Sequence, residues 1–300
     1  MRRMLSAALV GAAACLSTVS VVGGSTAQGA TGPVLAHAAG GANLAAPHPP
    51  TLHRRSTGLL FNSLNWSGYA QSAAVNPFTH RVVTPFTGVT STFLVTTVNT
   101  SIPGTQYSSD WVGIGGFKDN KLVQAGVEED NFNGRPIYQA WTEVLPHAEV
   151  PLSLAISPGN RIIVTVQETA KKHGRAKRWS MVVDDVTTGH SAGRKLRYRA
   201  TGSSAEAIHE RPCVGNPCST HLATLATTTN ETFDPAYFSV AAPNLTPNYR
   251  PLLTPEAGAT LYDLVMISGL TNALATPSNA NSAHDGFVVG DGGAVPAPPA

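Results

Sequence analysis

The sequence predicts an all-β domain, an antiparallel sandwich of two packed sheets, and three observations support this class. Short alternating or apolar runs recur between turn residues, as in "RIIVTVQET" (161–169) and "LYDLVMIS" (261–268). Charged residues make up only 13% of the chain, whereas strand-favouring Thr, Val, Tyr and Trp are plentiful. No convincing amphipathic helix is found. We expect one sandwich domain over residues 61–291, about 230 residues long, which is a usual size for this class.

Residues 1–30 have the pattern of a secretory signal peptide. Arg2 and Arg3 precede an apolar stretch, and small residues ending in Ala-Gln-Gly-Ala follow. The apolar run is too short and too interrupted for a membrane-spanning helix. We therefore expect a secreted, extracellular protein without stable membrane association. A lipoprotein anchored at Cys15 is the alternative, but no leucine stands three residues before that cysteine.

Residues 31–60 form a leader rich in Ala, Gly and Pro, without the apolar surface to fold alone. Residues 1–60 contain four arginines and no acid, so the remainder carries 16 basic against 18 acidic residues, a net charge of −2. A basic leader ahead of an acidic domain predicts a propeptide, and a flexible linker is the alternative. At the other end, the Pro/Ala-rich residues 292–300 predict a disordered tail.

Cysteine usage fits export. After removal of the signal peptide the chain keeps Cys213 and Cys218, which flank a Gly-Asn-Pro turn. In an oxidising compartment such a pair predicts a small disulfide. A zinc site is the competing interpretation, but it lacks further cysteines and the spacing differs from a zinc knuckle. We therefore expect no metal and no cofactor.

Common catalytic motifs are absent from the sequence. It contains no Gly-x-Ser-x-Gly elbow, no His-Glu-x-x-His and no Gly-rich phosphate loop. The basic stretch "KKHGRAKRW" (171–179) resembles a nucleic-acid contact, but it is a single segment in a domain of negative net charge. We interpret it as a solvated turn and expect no nucleic-acid partner.

Polar side chains share strand faces with glycines and tryptophans. In "KLVQAGVEED" (121–130), Gln124 lies on the face of Leu122 and Gly126, opposite Val123. The same alternation groups three further sets of residues: Trp111 with Gly113 and Gly115, Gln139 with Trp141 and Glu143, and Glu206 with Ile208 and Glu210. Such a face is a poor core but suits an extended ligand, because glycines allow close approach and tryptophans offer apolar contact.

The order and spelling of these segments make them specific. "NWSGYA" (65–70), "WVGIGG" (111–116), "LVQAG" (122–126), "YQAWTEVLP" (138–146) and "SAEAIHERP" (204–212) resemble, in sequence order, the blocks of the glutamic peptidases. This is the eqolisin family, peptidase family G1, and the chain is most similar to its bacterial branch. The resemblance implies a concanavalin A-like (jelly-roll) sandwich and a polypeptide substrate.

The resemblance also implies site residues. The family's catalytic glutamine and glutamate fall on Gln124 and Glu206, and Trp111 and Glu143 match further family positions. With Trp141 and Glu210 on the same faces, these residues form the candidate substrate-binding and supporting set. The chain departs from the family blocks at Gly115, Gln139 and Ala207, where Asp, Asp and Trp are frequent. All three positions are expected near the site.

A glutamine and a glutamate suffice for peptide hydrolysis. Glu206 can accept a proton from water and return it to the leaving nitrogen. The Gln124 amide can orient the water and stabilise the oxyanion at any pH. A carboxylate base with a pKa near ~4 predicts operation in acid. Because one water must reach both groups, we expect Gln124 and Glu206 on neighbouring strands of one concave sheet.

The basic leader predicts that the precursor is inactive until it is processed. Arg54 and Arg55 can attract the carboxylates of the groove at neutral pH and cover it. In acid this attraction weakens, so we expect the precursor to cleave itself and lose residues up to about Asn62. We expect the protein to be a monomer.

Two other functions fit the same face. A secreted carbohydrate- or peptide-binding module needs only the sandwich, since a fold does not fix a function. A glycosidase would use Glu143 and Glu206 as its carboxylate pair. Gln124 has no role in that mechanism.

Overall fold

The computed structural model describes residues 57–170, 177–214, 221–241, 246–269 and 272–300. The signal peptide, most of the leader, Cys218 and much of the basic stretch 171–179 lie outside these residues. Every regular element of the described part is a β-strand, and these residues include no helix long and apolar enough to cross a membrane. The strands are β1 (Leu59–Ser63), β2 (Trp66–Ser72), β3 (Phe86–Leu94), β4 (Thr105–Gln106), β5 (Ser109–Gly115), β6 (Leu122–Phe132), β7 (Arg135–Val144), β8 (Val150–Pro151), β9 (Arg161–Ala170), β10 (Lys177–Asp185), β11 (His190–Tyr198), β12 (Ser204–Glu210), β13 (Glu231–Val240), β14 (Arg250–Pro251), β15 (Thr260–Ser268), β16 (Asn272–Pro277) and β17 (Phe287–Asp291).

The strands form two layers that are hydrogen-bonded to each other at one side. The first layer runs β1-β15-β2-β12-β5-β6-β7-β8, and the second runs β11-β10-β9-β3-β13. β16 and β17 join them, because β16 pairs with β15 while β17 pairs with β13. The pairs are antiparallel, except that β1 runs parallel to β15. The predicted all-β antiparallel sandwich is confirmed.

The main core lies between the layers. Strand alternation directs Val112, Val123 and Ala125 of the first layer toward Val164 and Val166 of the second, and all five are fully buried. These β-branched and small side chains fit a pleated, two-sided interior. The core therefore uses one face of β5 and β6 and leaves the opposite face for another purpose.

The opposite face of the first layer carries a second apolar cluster, which we call the aromatic cluster. It is centred on Trp66, Trp111 and Trp141, with Phe117 and Ile208 among the surrounding residues. All five are at most 1% exposed in the whole chain. The first layer is thus buried on both faces, which explains the unbroken burial along β5 and β12.

The first ordered strand, β1, is integral to this layer. Its parallel register places Phe61 opposite Leu264, and Phe61 packs edge-on against Phe117 with ring centroids 5.3 Å apart. Asn62 and Ser63 are buried. Removal of residues up to Asn62 would therefore dismantle β1, so a cleavage that leaves this sheet intact must lie before Gly58.

Candidate active site

Gln124 and Glu206 lie on the same face of the first layer but not on adjacent strands. Glu206 of β12 is opposite Gly113 of β5, and Gly113 is opposite Gln124 of β6. The expectation of neighbouring strands is wrong, because β5 lies between β6 and β12. The intervening residue is a glycine, so no side chain separates the two groups. We call Glu206, Gly113, Gln124 and Glu143, aligned across β12, β5, β6 and β7, the dyad row.

Gly113 is required by its surroundings. A Cβ atom there would lie 2.8 Å from Cζ3 of Trp111, 2.9 Å from Cδ1 of Leu122 and 3.3 Å from Cβ of Gln124. Contacts below 3.0 Å force neighbours to shift. The glycine therefore allows the Trp111 ring and Leu122 to pack beside Gln124 while the space between the dyad residues carries no side chain.

The Gln124 amide is oriented by Glu143. Its Nε2 donates a hydrogen bond of 2.5 Å to Oε2 of Glu143, the next residue of the dyad row. Its Oε1 is buried and has no hydrogen-bond partner in the described structure. The hydrogen bond to Glu143 fixes which end of the amide carries the nitrogen. The amide thus keeps a free acceptor and a second N–H.

Glu206 is a buried carboxyl group without ordinary hydrogen bonds. Neither side-chain oxygen has a partner of normal geometry in the described structure, and the residue has no exposed surface. Burial raises the pKa of Glu206 well above its usual range; the nearby Ser204 hydroxyl lowers it in part, and the charge of Asp119 raises it further. The group is therefore disposed to carry a proton while the site is closed.

Trp111 lies beside the dyad and is held from two sides. Its Nε1 donates 2.8 Å to Oε2 of Glu210, whose Oε1 accepts a 2.9 Å hydrogen bond from Asn65 Nδ2. Trp66 packs edge-on against it with ring centroids 4.9 Å apart. Glu210 therefore fixes the tryptophan rather than reaching the dyad row, because both of its oxygens are engaged.

Trp141 completes this apolar wall. It lies across Gly126 from Trp111 in the row next to the dyad row, and its Nε1 donates 3.1 Å to Ser109 Oγ. A Cβ at Gly126 would lie 2.3 Å from the Asp110 carbonyl oxygen and 2.5 Å from Trp111 Cβ, so only glycine fits. The six predicted site residues, Trp111, Gln124, Trp141, Glu143, Glu206 and Glu210, all share this face.

A loop that the sequence analysis missed contacts the start of β12. Asp119 accepts hydrogen bonds from the hydroxyl groups of Thr201 (2.5 Å) and Ser203 (2.9 Å), and from the Lys121 backbone N–H (2.8 Å). The Phe117 backbone N–H donates 3.4 Å to Ser204 Oγ. Asp119 in the turn "FKDNKL" was the available signal, but turn aspartates commonly cap their own loop.

The three departures from the family blocks lie in different environments. Ala207 belongs to the main core between the layers, on the opposite face of β12 from Glu206, so the expectation that it lies at the site is wrong. Gly115 has φ +89°, and a Cβ there would lie 1.9 Å from the Lys121 carbonyl oxygen. Gln139 donates to the Leu152 carbonyl at 2.9 Å. Gly115 and Gln139 thus serve the local backbone.

The described residues include one of the two cysteines of the predicted disulfide. Cys213 is disulfide-bonded and buried. Cys218 lies outside the described residues, so the pairing of the two stays a prediction.

Comparisons with known proteins agree with this fold. The model of the Peptidase A4 family matches residues 64–273. No curated protein sequence matches the chain. Among solved structures, scytalido-glutamic peptidase with a peptide-based transition state analogue is similar with TM-score 0.57 and 19% identity, over 76% of this chain and 98% of that one.

Two further structures are similar. SCP-B, an eqolisin in complex with the tripeptide Ala-Ile-His, has TM-score 0.54 and 19% identity, over 76% of this chain and 98% of that one. Aspergilloglutamic peptidase from Aspergillus niger has TM-score 0.50 and 24% identity, over 62% of this chain and 99% of that one. At these identities the likeness establishes a shared sandwich fold.

Proposed function

The chain belongs to the Peptidase A4 family, the glutamic peptidases, and from that premise we propose a secreted acid endopeptidase whose catalytic pair is Gln124 and Glu206. As a family member it is a glutamic-type endopeptidase, a hydrolase that acts on peptide bonds. The dyad row is the observation that supports this pair. It aligns a buried carboxyl and an amide acceptor without partners across a residue that lacks a side chain.

The first step uses Glu206 as a carboxylate. It takes a proton from a water held between its side chain and Oε1 of Gln124, and the water oxygen attacks the carbonyl carbon of the substrate. The π electrons move to the carbonyl oxygen, which becomes an oxyanion. The Gln124 N–H that Glu143 does not occupy is available to stabilise it, and losing one such donor typically costs about 3–4 kcal/mol of barrier.

The second step returns the proton. Glu206, now protonated, donates to the leaving nitrogen while the tetrahedral intermediate collapses and the C–N bond breaks. The products are a carboxylic acid and an amine, and Glu206 is again ionised. One residue acts as base and then as acid, so its pKa governs both steps.

The raised pKa of Glu206 moves the expected working range upward. Only the ionised carboxylate can accept a proton from water, so the rate falls as pH drops through the pKa of Glu206. Since burial raises that pKa, the fall begins above the ordinary glutamate value of about 4.3. We therefore expect a mildly acidic optimum rather than a strongly acidic one.

Access to the dyad supports a latent precursor. In the 300-residue chain, neither Gln124 nor Glu206 has exposed surface, so a substrate reaches them only after something moves or is removed. We assign this role to residues 31–56 of the leader, whose cationic residues include Arg54 and Arg55. Cleavage is expected before Gly58, because β1 begins at Leu59 and belongs to the first layer.

Incubation of the purified full-length chain with denatured protein over a pH series from about 4 to about 7 tests the proposal. We expect shortening to a form beginning near residue 58, followed by digestion of the added protein. Glu206→Gln should stay full length, because the amide keeps the shape but cannot act as base. Trimming of purified Glu206→Gln as fast as wild type would show that the leader is not self-removed or that Glu206 is not the base.

Inhibitors separate this mechanism from other peptidase classes. The proposed pair includes no aspartate pair, nucleophilic serine or thiol, and no metal. We therefore expect full activity in the presence of pepstatin-type, serine-directed, thiol-directed and chelating reagents. Loss of the rate with a pepstatin-type, serine-directed or thiol-directed reagent at the pH optimum would contradict the Gln124–Glu206 mechanism, whereas loss on chelation would indicate a bound metal.

A further inference from the structure

The opposite face of the strands that carry the dyad holds a second cluster of ionisable groups. Asp110 (β5), His209 (β12) and Glu231 (β13) each place a ligand atom within 4.8 Å of those of the other two. All three side chains are at most 1% exposed. We call them the core cluster, and they lie between the two layers of the sandwich, because β13 belongs to the second layer.

The core cluster leaves two carboxylate oxygens without a hydrogen-bond donor. Nδ1 of His209 lies 3.0 Å from Oδ1 of Asp110, and Oε1 of Glu231 accepts a 2.8 Å hydrogen bond from Thr228. The other oxygens, Oδ2 of Asp110 and Oε2 of Glu231, are buried and accept no hydrogen bond from an N–H or hydroxyl donor of the described structure, while the carboxyl group of Asp110 lies within hydrogen-bond reach of those of Glu231 and Glu129. A buried unpaired carboxylate oxygen is costly, so these two atoms indicate a ligand or shared protons.

The charge balance around the cluster is negative. Glu129 of β6 is fully buried beside Asp110, and its oxygens accept from the backbone N–H and the hydroxyl of Thr96. Glu128 and Asp291 act on the cluster from β6 and β17, and Tyr138 of β7 lies near Glu129 and Glu231. Among the described residues, His209 is the one basic side chain that pairs with these acids.

Burial and mutual repulsion oppose ionisation of these acids. Asp110, Glu129 and Glu231 are at most 1% exposed, so their negative charges repel one another in a poorly solvated interior. A divalent cation would reverse this effect, because it neutralises two charges and satisfies the unpaired oxygens.

From this geometry we propose that Asp110, His209 and Glu231 bind a divalent first-row transition-metal ion between the two sheets, a structural site separate from the dyad. One imidazole and two carboxylates form an N/O ligand set that suits Zn²⁺ and its neighbours better than a thiolate-selecting metal. The ion links β5 and β12 of the first layer to β13 of the second. Glu129, held by Thr96, lies outside it and orients Asp110.

The sequence did not indicate this site. Its ligands lie far apart in the chain, and Asp110 and His209 directly precede Trp111 and Glu210 of the opposite face. Only the pairing of β12 with β5, which places His209 opposite Asp110, brings them together.

The test uses full-length protein carrying Glu206→Gln, which prevents self-cleavage. Because the ligands are buried, the chain is refolded at pH 7 with its disulfide intact, with Zn²⁺, with Mg²⁺ or with EDTA, and then dialysed. We expect about one equivalent of bound zinc. At 100 times the dissociation constant, Zn²⁺ should raise Tm by about 5 °C or more over EDTA, whereas Mg²⁺ should have little effect.

Variants identify the ligands. Glu231→Gln and His209→Gln should each weaken zinc binding by more than the about 10–100-fold that loss of an outer partner costs. Glu128→Gln is the matched control: Glu128 acts on Asp110 only through its charge and lies on the opposite face of β6 from Glu129, so it offers no ligand atom and its loss should weaken zinc binding far less. Refolding with Co²⁺ provides a second measurement on unsubstituted ligands, since its visible absorption reports nitrogen and oxygen coordination directly.

Two outcomes would overturn the proposal. If wild-type ligands bind no zinc or cobalt and Tm is the same with EDTA, the cluster holds shared protons instead of an ion. If Glu231→Gln and His209→Gln bind zinc as tightly as Glu128→Gln, the metal lies elsewhere. Neither result would affect the assignment of Gln124 and Glu206, because the dyad row lies on the other face of the sheet.

Discussion

The two faces of β5, β6 and β12 both bury ionisable side chains, but the surroundings differ. On the dyad face, Gln124 and Glu206 flank a glycine, and tryptophans and glycines form the neighbouring row. On the core face, Asp110 and His209 are in direct contact and face Glu231 of the other layer. On the dyad face, the side-chain oxygens of Gln124 and Glu206 lie on either side of Gly113, which has no side chain. On the core face, the carboxylate oxygens lie among the other possible ligand atoms of the core cluster.

This difference separates two uses of buried charge. Burial is the main cause that raises the pKa of Glu206, and only one nearby acid, Asp119, adds to it. Asp110 is affected by burial and by several acids at once. A single carboxyl beside an amide can exchange a proton with water and substrate. A group of acids around one histidine is better suited to hold a cation or protons permanently.

The largest effect is expected from a substitution that removes a carboxylate from the dyad face alone. Glu206→Gln should lower kcat/KM by about 10³-fold or more, because it removes the general base and acid. Tm should stay the same or rise, since the amide is less costly to bury than a carboxylate. Glu129→Gln, on the core face of β6, is the control and should change kcat/KM less than about threefold while altering Tm. Equal activity losses in the two variants would end the distinction between the faces.

A somewhat smaller loss is expected for the amide. Gln124→Met keeps the length of the side chain but removes the water acceptor and the oxyanion donor, so kcat should fall by about 10²–10³-fold. Gln139→Met is the matched control, because the Gln139 amide bonds only backbone carbonyls in the described structure. That control should lose about 1 kcal/mol of stability and keep its kcat. An unchanged kcat for Gln124→Met would remove Gln124 from the mechanism.

The sequence predicted which side chains share a strand face better than it predicted which strands are neighbours in the sheet. Period-two alternation correctly grouped Gln124 with Gly126 and separated it from Val123, because side chains of a strand must alternate. It could not predict that β5 lies between β6 and β12, since strand order depends on tertiary pairing. The family blocks named both dyad residues, yet Gly113 between them became meaningful only with the register.

The core cluster was missed for a related reason. Asp110 and His209 stand next to motif residues, so the sequence pattern assigned importance to Trp111 and Glu210 and none to the alternate positions. Glu231 lies in the second layer, and its approach depends on how the layers stack. Burial of the dyad face was likewise beyond the pattern, because polar and aromatic residues on a strand face indicate an open groove as readily as a covered one.

Filling the gap in the dyad row should give an intermediate effect. Gly113→Ala places a Cβ 2.8 Å from the Trp111 ring and 2.9 Å from Leu122. We expect a stability loss of about 1–3 kcal/mol from overpacking and a roughly tenfold lower kcat/KM, because small displacements of catalytic groups are costly. Gly293→Ala, whose nearest neighbour would lie at 3.5 Å, should be neutral in urea unfolding and in rate. Full activity of Gly113→Ala would show that the spacing across β5 is not critical.

The smallest expected effect concerns Asp119, which tunes the dyad face from its edge. Its charge raises the pKa of Glu206, so Asp119→Asn should lower that pKa and shift the acid limb of the kcat/KM profile to lower pH. Asp119 is half-buried, so water and salt screen it and the shift should be roughly half a pH unit or less. In wild type, added salt should move the limb in the same direction, and in Asp119→Asn this salt effect should shrink. A limb that moves to higher pH, or a salt response equal in the two proteins, would show that the Asp119 carboxylate does not act on Glu206 through its charge. Asparagine can still accept the Lys121 backbone hydrogen bond through Oδ1, and its Nδ2 can donate to the hydroxyl oxygens of Thr201 and Ser203 in place of accepting from them, so the loop keeps its three contacts and the profile reports the charge.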